Sequence, residues 1–308
     1  MTLNRRAFIA STAALVAGCL PSNTTGTIRL AAGDRGGLYL TVCEILAQRL
    51  RARHPGITVT VMSTAGSVDN LNLLRSGEAD MGLAQGDAVE QYLRSGPMTD
   101  APVAVARVYE NYLQLVVPAH TGIRQLTDLA GRRVSTGPAG SGVAVMTRVL
   151  FDAARLTDRI RSVDLRLHDA LTSLGNDSID ALVWSGGIPT PAIAELNTKL
   201  PLRILDLSPW IEPMAALASY PYLLLRAPAG SYVPAGVYTI GSPDLLLCRP
   251  GLNSALVATT VNVLATDAPQ LMPPEVRGLQ YLQPPSMIQT GRIPLHPGAI
   301  EAYRALHG

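Results

Sequence analysis

The chain has 308 residues, of which 47% are hydrophobic and 16% are charged, so it can bury a large core and exceeds what one compact unit usually holds. This composition excludes a disordered chain and a small disulfide-stapled scaffold. Lys and Arg total 25 against 23 Asp and Glu, and without Arg5 and Arg6 both totals are 23. A neutral chain without a dense basic run lacks the phosphate attraction that nucleic-acid binding needs, so we expect no nucleic-acid partner.

The chain begins with features of an export signal. Arg5 and Arg6 precede a largely apolar run over residues 7–17, which is about half the ~20 residues that span a bilayer. We therefore assign residues 1–18 to an export signal, of either the twin-arginine or the general type, and residues 19–26 to a flexible tether. Residues 16–19 read Val-Ala-Gly-Cys like a lipobox, so Cys19 is the candidate lipid anchor; an ordinary cleavable signal is the alternative. Both interpretations predict an extracytoplasmic location.

The next segment predicts alternating strands and helices. A strand, glycine loop, helix, strand, helix and strand are predicted in this order: Ile28–Ala32, Gly33–Gly37, Tyr39–Arg53, Ile57–Met62, Val68–Arg75 and Ala79–Ala84. The same order recurs about a hundred residues later, with a strand, glycine loop, helix and strand at Arg133–Thr136, Gly137–Gly142, Val143–Ala154 and Ser162–Leu165. This recurrence predicts two related α/β lobes with mostly parallel strands. Beyond Leu207 the pattern weakens into proline-rich loops, until a helix is predicted over Asn253–Thr266.

Two glycine loops are the main candidates for a ligand site. Gly36 and Gly37 precede one predicted helix, and Gly140, Ser141 and Gly142 precede another. Helix N-termini at the carboxyl ends of parallel strands present unpaired amides and a partial positive charge, so such loops suit a carboxylate. The alternative is that these glycines only form turns or caps.

Other polar residues lie beside these loops. The candidates are Tyr39, Ser67, Asn70, Gln85, Asp87 and Trp184. Ser67 and Asn70 flank a helix start, and Gln85 and Asp87 follow a strand, so each either contacts a ligand or caps a helix. Trp184 either covers a ligand or fills core.

Cys43 and Cys248 remain as a distant pair, which favours two buried thiols over a disulfide.

Catalytic patterns are weak. The five histidines are dispersed without metal-ligand spacing, which predicts no metal site, and we expect no cofactor. Ser141 lacks a glycine two residues away on either side, and Lys199 is the single lysine, so neither a nucleophile elbow nor a phosphate loop is present. We expect no enzyme, although carboxylates far apart in the chain could still meet as a catalytic pair.

Several motifs occur in an order that resembles a known family. They are Gly36-Gly37-Leu38-Tyr39, Gly66-Ser67-Val68-Asp69-Asn70-Leu71, Gln85-Gly86-Asp87, Asp128-Leu129-Ala130-Gly131-Arg132-Arg133-Val134, Gly137-Pro138-Ala139-Gly140-Ser141-Gly142 and Leu295-His296-Pro297-Gly298-Ala299. Together they resemble the TAXI family of TRAP-transporter solute-binding proteins. The charged pair Asp34-Arg35 departs from that family, whose loop is usually small and uncharged there.

The resemblance implies a two-lobed periplasmic-binding-protein fold of the second topological class, with a ligand cleft between lobes joined by hinge strands. The lobes would comprise residues 27–112 with 235–308, and 113–234. The resemblance further implies capture of a small organic acid or glutamate-like amino acid, and its delivery to membrane-embedded TRAP permease subunits. A sensor that presents its closed form to a signalling receptor would use the same cleft.

Overall fold

The computed structural model describes residues 24–96, 99–273, 276 and 282–307. The predicted export signal, Cys19 and most of the tether lie outside the described residues. Among the helices that are described, none is both long and apolar enough to cross a bilayer.

The first lobe begins with five alternating elements whose bounds follow the hydrophobic pattern. They are β1 (Gly26–Ala31), α1 (Leu38–Arg53), β2 (Ile57–Met62), α2 (Ser67–Ser76) and β3 (Met81–Gln85), followed by α3 (Gly86–Ser95). Helix α1 buries Val42, Leu46 and Leu50 at helical spacing, whereas β2 alternates buried and exposed residues. Helix α2 ends where Gly77 adopts a left-handed conformation at φ 74°, which glycine tolerates without a Cβ clash.

The second lobe repeats this order. Its elements are β5 (Arg133–Ser135), α4 (Gly142–Ala153), β6 (Arg161–Val163), α5 (Leu167–Gly175) and β7 (Ala181–Gly186), followed by α6 (Pro191–Asn197), β8 (Leu202–Ile204), α7 (Ile211–Ala218) and β9 (Leu223–Arg226). The chain then returns to the first lobe, which is completed by α8 (Ser254–Thr266), α9 (Ala268–Leu271), α10 (Pro284–Met287) and α11 (Pro297–His307). The recurrence of element order predicted from sequence is present in the structure.

Two long strands join the lobes. They are β4 (Val103–Pro118) and β10 (Tyr238–Cys248), which pair with each other in antiparallel register. The sheet order is β2-β1-β3-β10-β4-β7-β5-β6, with β8 on β4 and β9 on β10. In each lobe, three parallel strands are therefore followed by an antiparallel hinge strand, β10 beside β3 and β4 beside β7.

The hinge strands correct the prediction of a mostly parallel sheet. The pairs β1/β2, β1/β3, β5/β6 and β5/β7 are parallel, but β4 and β10 are antiparallel to every described strand with which they pair. The region beyond Leu207, which the sequence predicts as loops, contains β9 and β10. Pro243 lies inside β10, next to a shift in register, and its missing amide obscures the strand in the sequence.

Each lobe has its own core, on both faces of its part of the sheet. In the first lobe, one cluster centres on β1, α1, α8 and α11 and the other on α2 and β3. In the second lobe, the two clusters centre on α4 and on α5. Tyr109 packs in the first lobe and Leu113 in the second, so β4 passes from one core to the other within a few residues. Cys43 and Cys248 are buried free thiols of the first lobe, which confirms the expected state of both.

The same ion pair ties the first and third parallel strands in both lobes. Asp80, just before β3, accepts hydrogen bonds from the backbone amide and the guanidinium of Arg29 on β1, at 2.9 Å each. Asp180, just before β7, accepts the corresponding bonds from Arg133 on β5 at 2.8 to 3.2 Å. Burial raises the pKa of Asp80, but hydrogen bonds from Arg29 and Arg249 outweigh burial and hold the pKa at about 2. The Asp80 pair is thus a charged clamp at the base of the first lobe.

Asp80→Asn should destabilise the protein by about 2 kcal/mol at pH 7, because the native pKa of Asp80 lies below that of the unfolded chain. A depressed carboxyl pKa stabilises the fold above pH 4, and this contribution is lost as the pH falls towards 2. The stability difference between wild type and variant should therefore vanish in that window in urea unfolding at several pH values. Glu78→Gln, at an exposed neighbouring carboxylate, is the matched control. It should change neither the free energy of unfolding at pH 7 nor its dependence on pH. An Asp80→Asn protein with the wild-type pH dependence would contradict the assignment.

Candidate functional site

A small cavity lies between the lobes, at the carboxyl ends of the parallel strands. Its volume is about 50 Å³, and we call it the cleft cavity. The first lobe contributes Gly33, Asp34, Gly37, Leu38, Tyr39, Ala65, Gly66, Ser67, Gln85 and Asn111, and the second contributes Ser141, Gly142, Val143, Trp184, Ser185 and Gly186. Both predicted glycine loops therefore reach the same cavity.

Three helix N-termini converge on the cleft cavity. Helices α1, α2 and α4 begin at Leu38, Ser67 and Gly142, which all line it. The N-cap glycines of α1 and α2 provide no side-chain cap, whereas Ser141 caps α4 by accepting from Ala144 N at 3.1 Å. The amides of Val68 and Asp69 in α2 already donate to the Gly140 carbonyl, whereas all three helix dipoles place their positive ends at the cavity. This arrangement is suited to a carboxylate or another small anion.

Two buried side-chain oxygens add acceptors to this wall. Gln85 donates its amide to Ser185 Oγ, and Asn111 donates its amide to Asp244 Oδ1 at 3.0 Å. Gln85 Oε1 and Asn111 Oδ1 have no hydrogen-bond partner among the described residues, although both side chains are buried. A buried unpaired acceptor is costly, so these oxygens favour a ligand that also carries a donor, such as an amine or a hydroxyl.

A buried carboxyl group lies behind the cavity in the hinge. Asp244 on β10 accepts hydrogen bonds from Tyr39 and Asn111. Burial raises the pKa of Asp244 well above its usual value; the Tyr39 hydrogen bond opposes the shift, and the nearby Glu110 and Asp87 reinforce it. This shift favours the neutral form of Asp244, which reduces the negative charge beside the anion site.

The sequence-predicted site residues divide into two groups. Seven line the cleft cavity: Gly37, Tyr39, Ser67, Gln85, Ser141, Gly142 and Trp184. Gly36, Asn70, Asp87 and Gly140 do not line it. Gly36 borders a neighbouring cavity, and the Gly140 carbonyl accepts from the amides of Val68 and Asp69 at 2.9 and 3.1 Å.

Asn70 and Asp87 have other hydrogen-bond partners. Asn70 donates to the carbonyls of Ala32 and Leu83 and accepts from Thr64, so its amide binds the loops of the first lobe together. Asp87 accepts from Ser242 and from Tyr222 of the second lobe, and burial raises its pKa to about 6. Both side chains support the site from outside the cavity.

Sequence reasoning missed Asn111 and Ser185. Asn111 lies on the unpredicted hinge strand β4, and Ser185 follows Trp184 near the end of β7. The short apolar run from Val103 to Ala106 is a signal for the start of β4 only, because Arg107 and Glu110 interrupt the pattern before Asn111.

The lobes contact each other across the cleft. Asp34 of the first lobe accepts a hydrogen bond from Arg166 at 2.7 Å and another from Leu167 N, at the start of α5, at 3.1 Å. A Cβ atom on Gly66 would lie 3.4 Å from the Cα of Ser141, so the two loops touch almost backbone to backbone. The structure is therefore a closed arrangement, in which Asp34 caps a helix of the opposite lobe.

The two lobes, the paired hinge strands and the interlobe cavity define the fold of periplasmic solute-binding proteins. The alkanesulfonate-binding protein SsuA from Xanthomonas axonopodis pv. citri, whose structure contains bound MOPS, has a TM-score of 0.53 at 16% identity, over 92% of each chain. A putative L-cystine ABC transporter from Listeria monocytogenes also has a TM-score of 0.53, at 15% identity, over 80% of this chain and 93% of that one. The substrate-binding protein of an amino acid ABC transporter has a TM-score of 0.50 at 14% identity, over 80% and 96% of the chains. At these identities the likeness establishes the fold.

A family model matches residues 30–305, and the chain belongs to the NMT1-like family. The match covers both lobes and the two hinge strands.

Gly142→Ala should weaken ligand binding at least tenfold while leaving the fold intact. Its Cβ would lie 2.2 Å from Gln85 Oε1 and 2.5 Å from Ser67 Oγ, both on the opposite lobe, so the clash arises only on closure. Calorimetric titration with the acid found to bind wild type measures the effect, and thermal unfolding without ligand measures the fold. Gly175→Ala is the control, because its Cβ would meet only Leu196 at 3.5 Å. Wild-type affinity in Gly142→Ala would show that this loop does not close on the ligand.

Asp34→Ala should reduce affinity about fivefold, because it removes a helix cap and a half-exposed ion pair worth together about 1 kcal/mol. It should also increase the radius of gyration of the ligand-free protein in small-angle scattering, since these contacts exist only when the lobes meet. Glu195→Gln disrupts an exposed pair with Lys199 within the second lobe and should alter neither value. An unchanged radius and affinity would mean that Asp34 does not hold the lobes together.

Proposed function

We propose that the protein is an extracytoplasmic solute-binding protein that captures a small organic acid or amino acid and delivers it to a TRAP-type secondary transporter. The lobes would comprise residues 27–112 with 235–308, and 113–234. Ile240 packs in the core of the second lobe, which favours a return of the chain to the first lobe near Gly241 on β10 rather than at residue 235. The observation that supports this proposal most is the convergence of three helix N-termini, from both lobes, on one cavity.

The chemistry of the cavity supports the ligand class. Its amides would bind a carboxylate, and Gln85 Oε1 and Asn111 Oδ1 would accept from an amino or hydroxyl group of the same molecule. Contacts from both lobes would favour the closed state and so signal loading. The volume of about 50 Å³ favours members of the class that are smaller than glutamate.

The TAXI-like motifs support delivery to TRAP permease subunits rather than to an ATP-driven transporter. Gly37, Ser67, Ser141 and Gly142 belong to these motifs and line the cavity. A lipid anchor at Cys19 would keep the protein beside its permease. Uptake into vesicles containing the purified permease, driven by an ion gradient and insensitive to ATP, would support this partner; uptake that requires ATP would exclude it.

The proposed binding function predicts that thermal stability rises with small acids and not with their uncharged amides. Binding at a hundred times the dissociation constant stabilises by about 2.7 kcal/mol, so a screen of matched acid and amide pairs should separate binders clearly. Amino acids should raise the thermal stability more than the corresponding plain acids, because their ammonium group donates to the unpaired oxygens of Gln85 and Asn111. Ligands that bind equally well as acids and amides would contradict an anion site.

A further inference from the structure

A second cavity adjoins the cleft cavity. Its volume is about 140 Å³, and we call it the side cavity. Its lining consists of Gly36, Gly37, Leu38, Thr41, Trp184, Gly187, Thr190, Pro191, Pro273 and Val276. Gly37, Leu38 and Trp184 also line the cleft cavity, so these three residues form the wall between the two spaces.

The indole of Trp184 is the main part of this wall. Trp184 lies on β7 and is only 8% exposed. A Cβ on Gly37 would lie 3.4 Å from Cζ2 of Trp184, so the ring packs against the backbone of the first lobe. Gly37 has no side chain, and Leu38 is held as the first residue of α1. Removing the indole would therefore connect the two cavities.

The two cavities differ in chemistry. The cleft cavity presents helix amides and the unpaired oxygens of Gln85 and Asn111. The side cavity is lined by the apolar side chains of Leu38, Pro191, Pro273 and Val276. Of its hydroxyl groups, that of Thr190 already donates to the Gly187 carbonyl at 2.8 Å and accepts from Gln114 at 3.1 Å. The side cavity thus suits an aliphatic chain and the cleft cavity suits its carboxylate head.

We infer that Trp184 determines specificity by limiting the length of the bound acid. The cleft cavity has room for about four water-sized groups, and the side cavity has room for about ten. With the indole in place, the ligand is confined to the cleft cavity and is short. Without it, an aliphatic tail extends into the side cavity while the carboxylate keeps its place. This inference rests on the proposed binding of small acids.

The test is a series of straight-chain 2-amino acids, from glycine to 2-aminooctanoate, titrated by calorimetry into wild type and Trp184→Ala. Wild-type affinity should fall once the chain outgrows the cleft cavity. In Trp184→Ala, affinity should instead rise roughly fourfold per methylene that enters the side cavity, so the preferred length increases. Trp184→Phe, with a smaller ring, should give an intermediate preferred length and provides the test if the alanine variant does not fold. Trp210→Ala changes the other tryptophan, which lines neither cavity. It should keep the wild-type dependence of affinity on chain length.

The outcomes separate this inference from the proposed function. If wild type binds no carboxylate, the proposed function fails. If wild type binds short acids but both Trp184 variants keep its preferred length, the inference alone is overturned. If the folded Trp184 variants lose affinity for short and long acids alike, Trp184 contacts the carboxylate head, and the inference that it limits ligand length is also overturned.

Discussion

The antiparallel pairing of β4 with β10 is the constraint on which the rest of the structure depends. Each strand contributes to both cores, so the position of one lobe against the other is set by a ladder that both lobes share. Asn111 and Asp244 lie on these two strands and bond to each other behind the cavity. The floor of the site is therefore part of the hinge.

The duplicated organisation explains why anion-binding groups face each other. A parallel three-stranded unit places every strand-to-helix loop at the same edge, and each lobe contains one such unit. Arg29 with Asp80 and Arg133 with Asp180 fix the strand pairs at equivalent positions below these loops. When the hinge brings the two edges together, helix N-termini from both lobes meet, and the described residues that line the cavity include no lysine or arginine. Backbone amides supply the positive potential instead, and a buried aspartate with a raised pKa does not oppose it.

Local signals in the sequence were sufficient for the parallel units and insufficient for the hinge. Strand β2 was predicted with its observed bounds, and α1 and α4 within one residue at each end, because periodicity and terminating glycines or prolines act over short distances. Strand β4 has no such pattern: residues 111–118 are all buried, since they pack on both faces and beside other strands. The cavity residues on the glycine loops were predictable from those local signals. Asn111 was not, because its role arises from a pairing with a strand more than a hundred residues away.

Contacts between the lobes reduce the binding free energy that a ligand must supply to close them. Three direct contacts join the lobes: Asp34 with Arg166, the Gly140 carbonyl with the amides of α2, and Asp87 with Tyr222. These contacts offset part of the cost of closure, so the ligand need contribute only the remainder. The unpaired oxygens of Gln85 and Asn111 act in the opposite direction, because closing over an empty cavity buries acceptors without donors. An acid that carries a donor removes this penalty, whereas one without a donor leaves it in place. Selectivity for such ligands then arises in the closing step, from groups that contact the ligand only when the lobes meet.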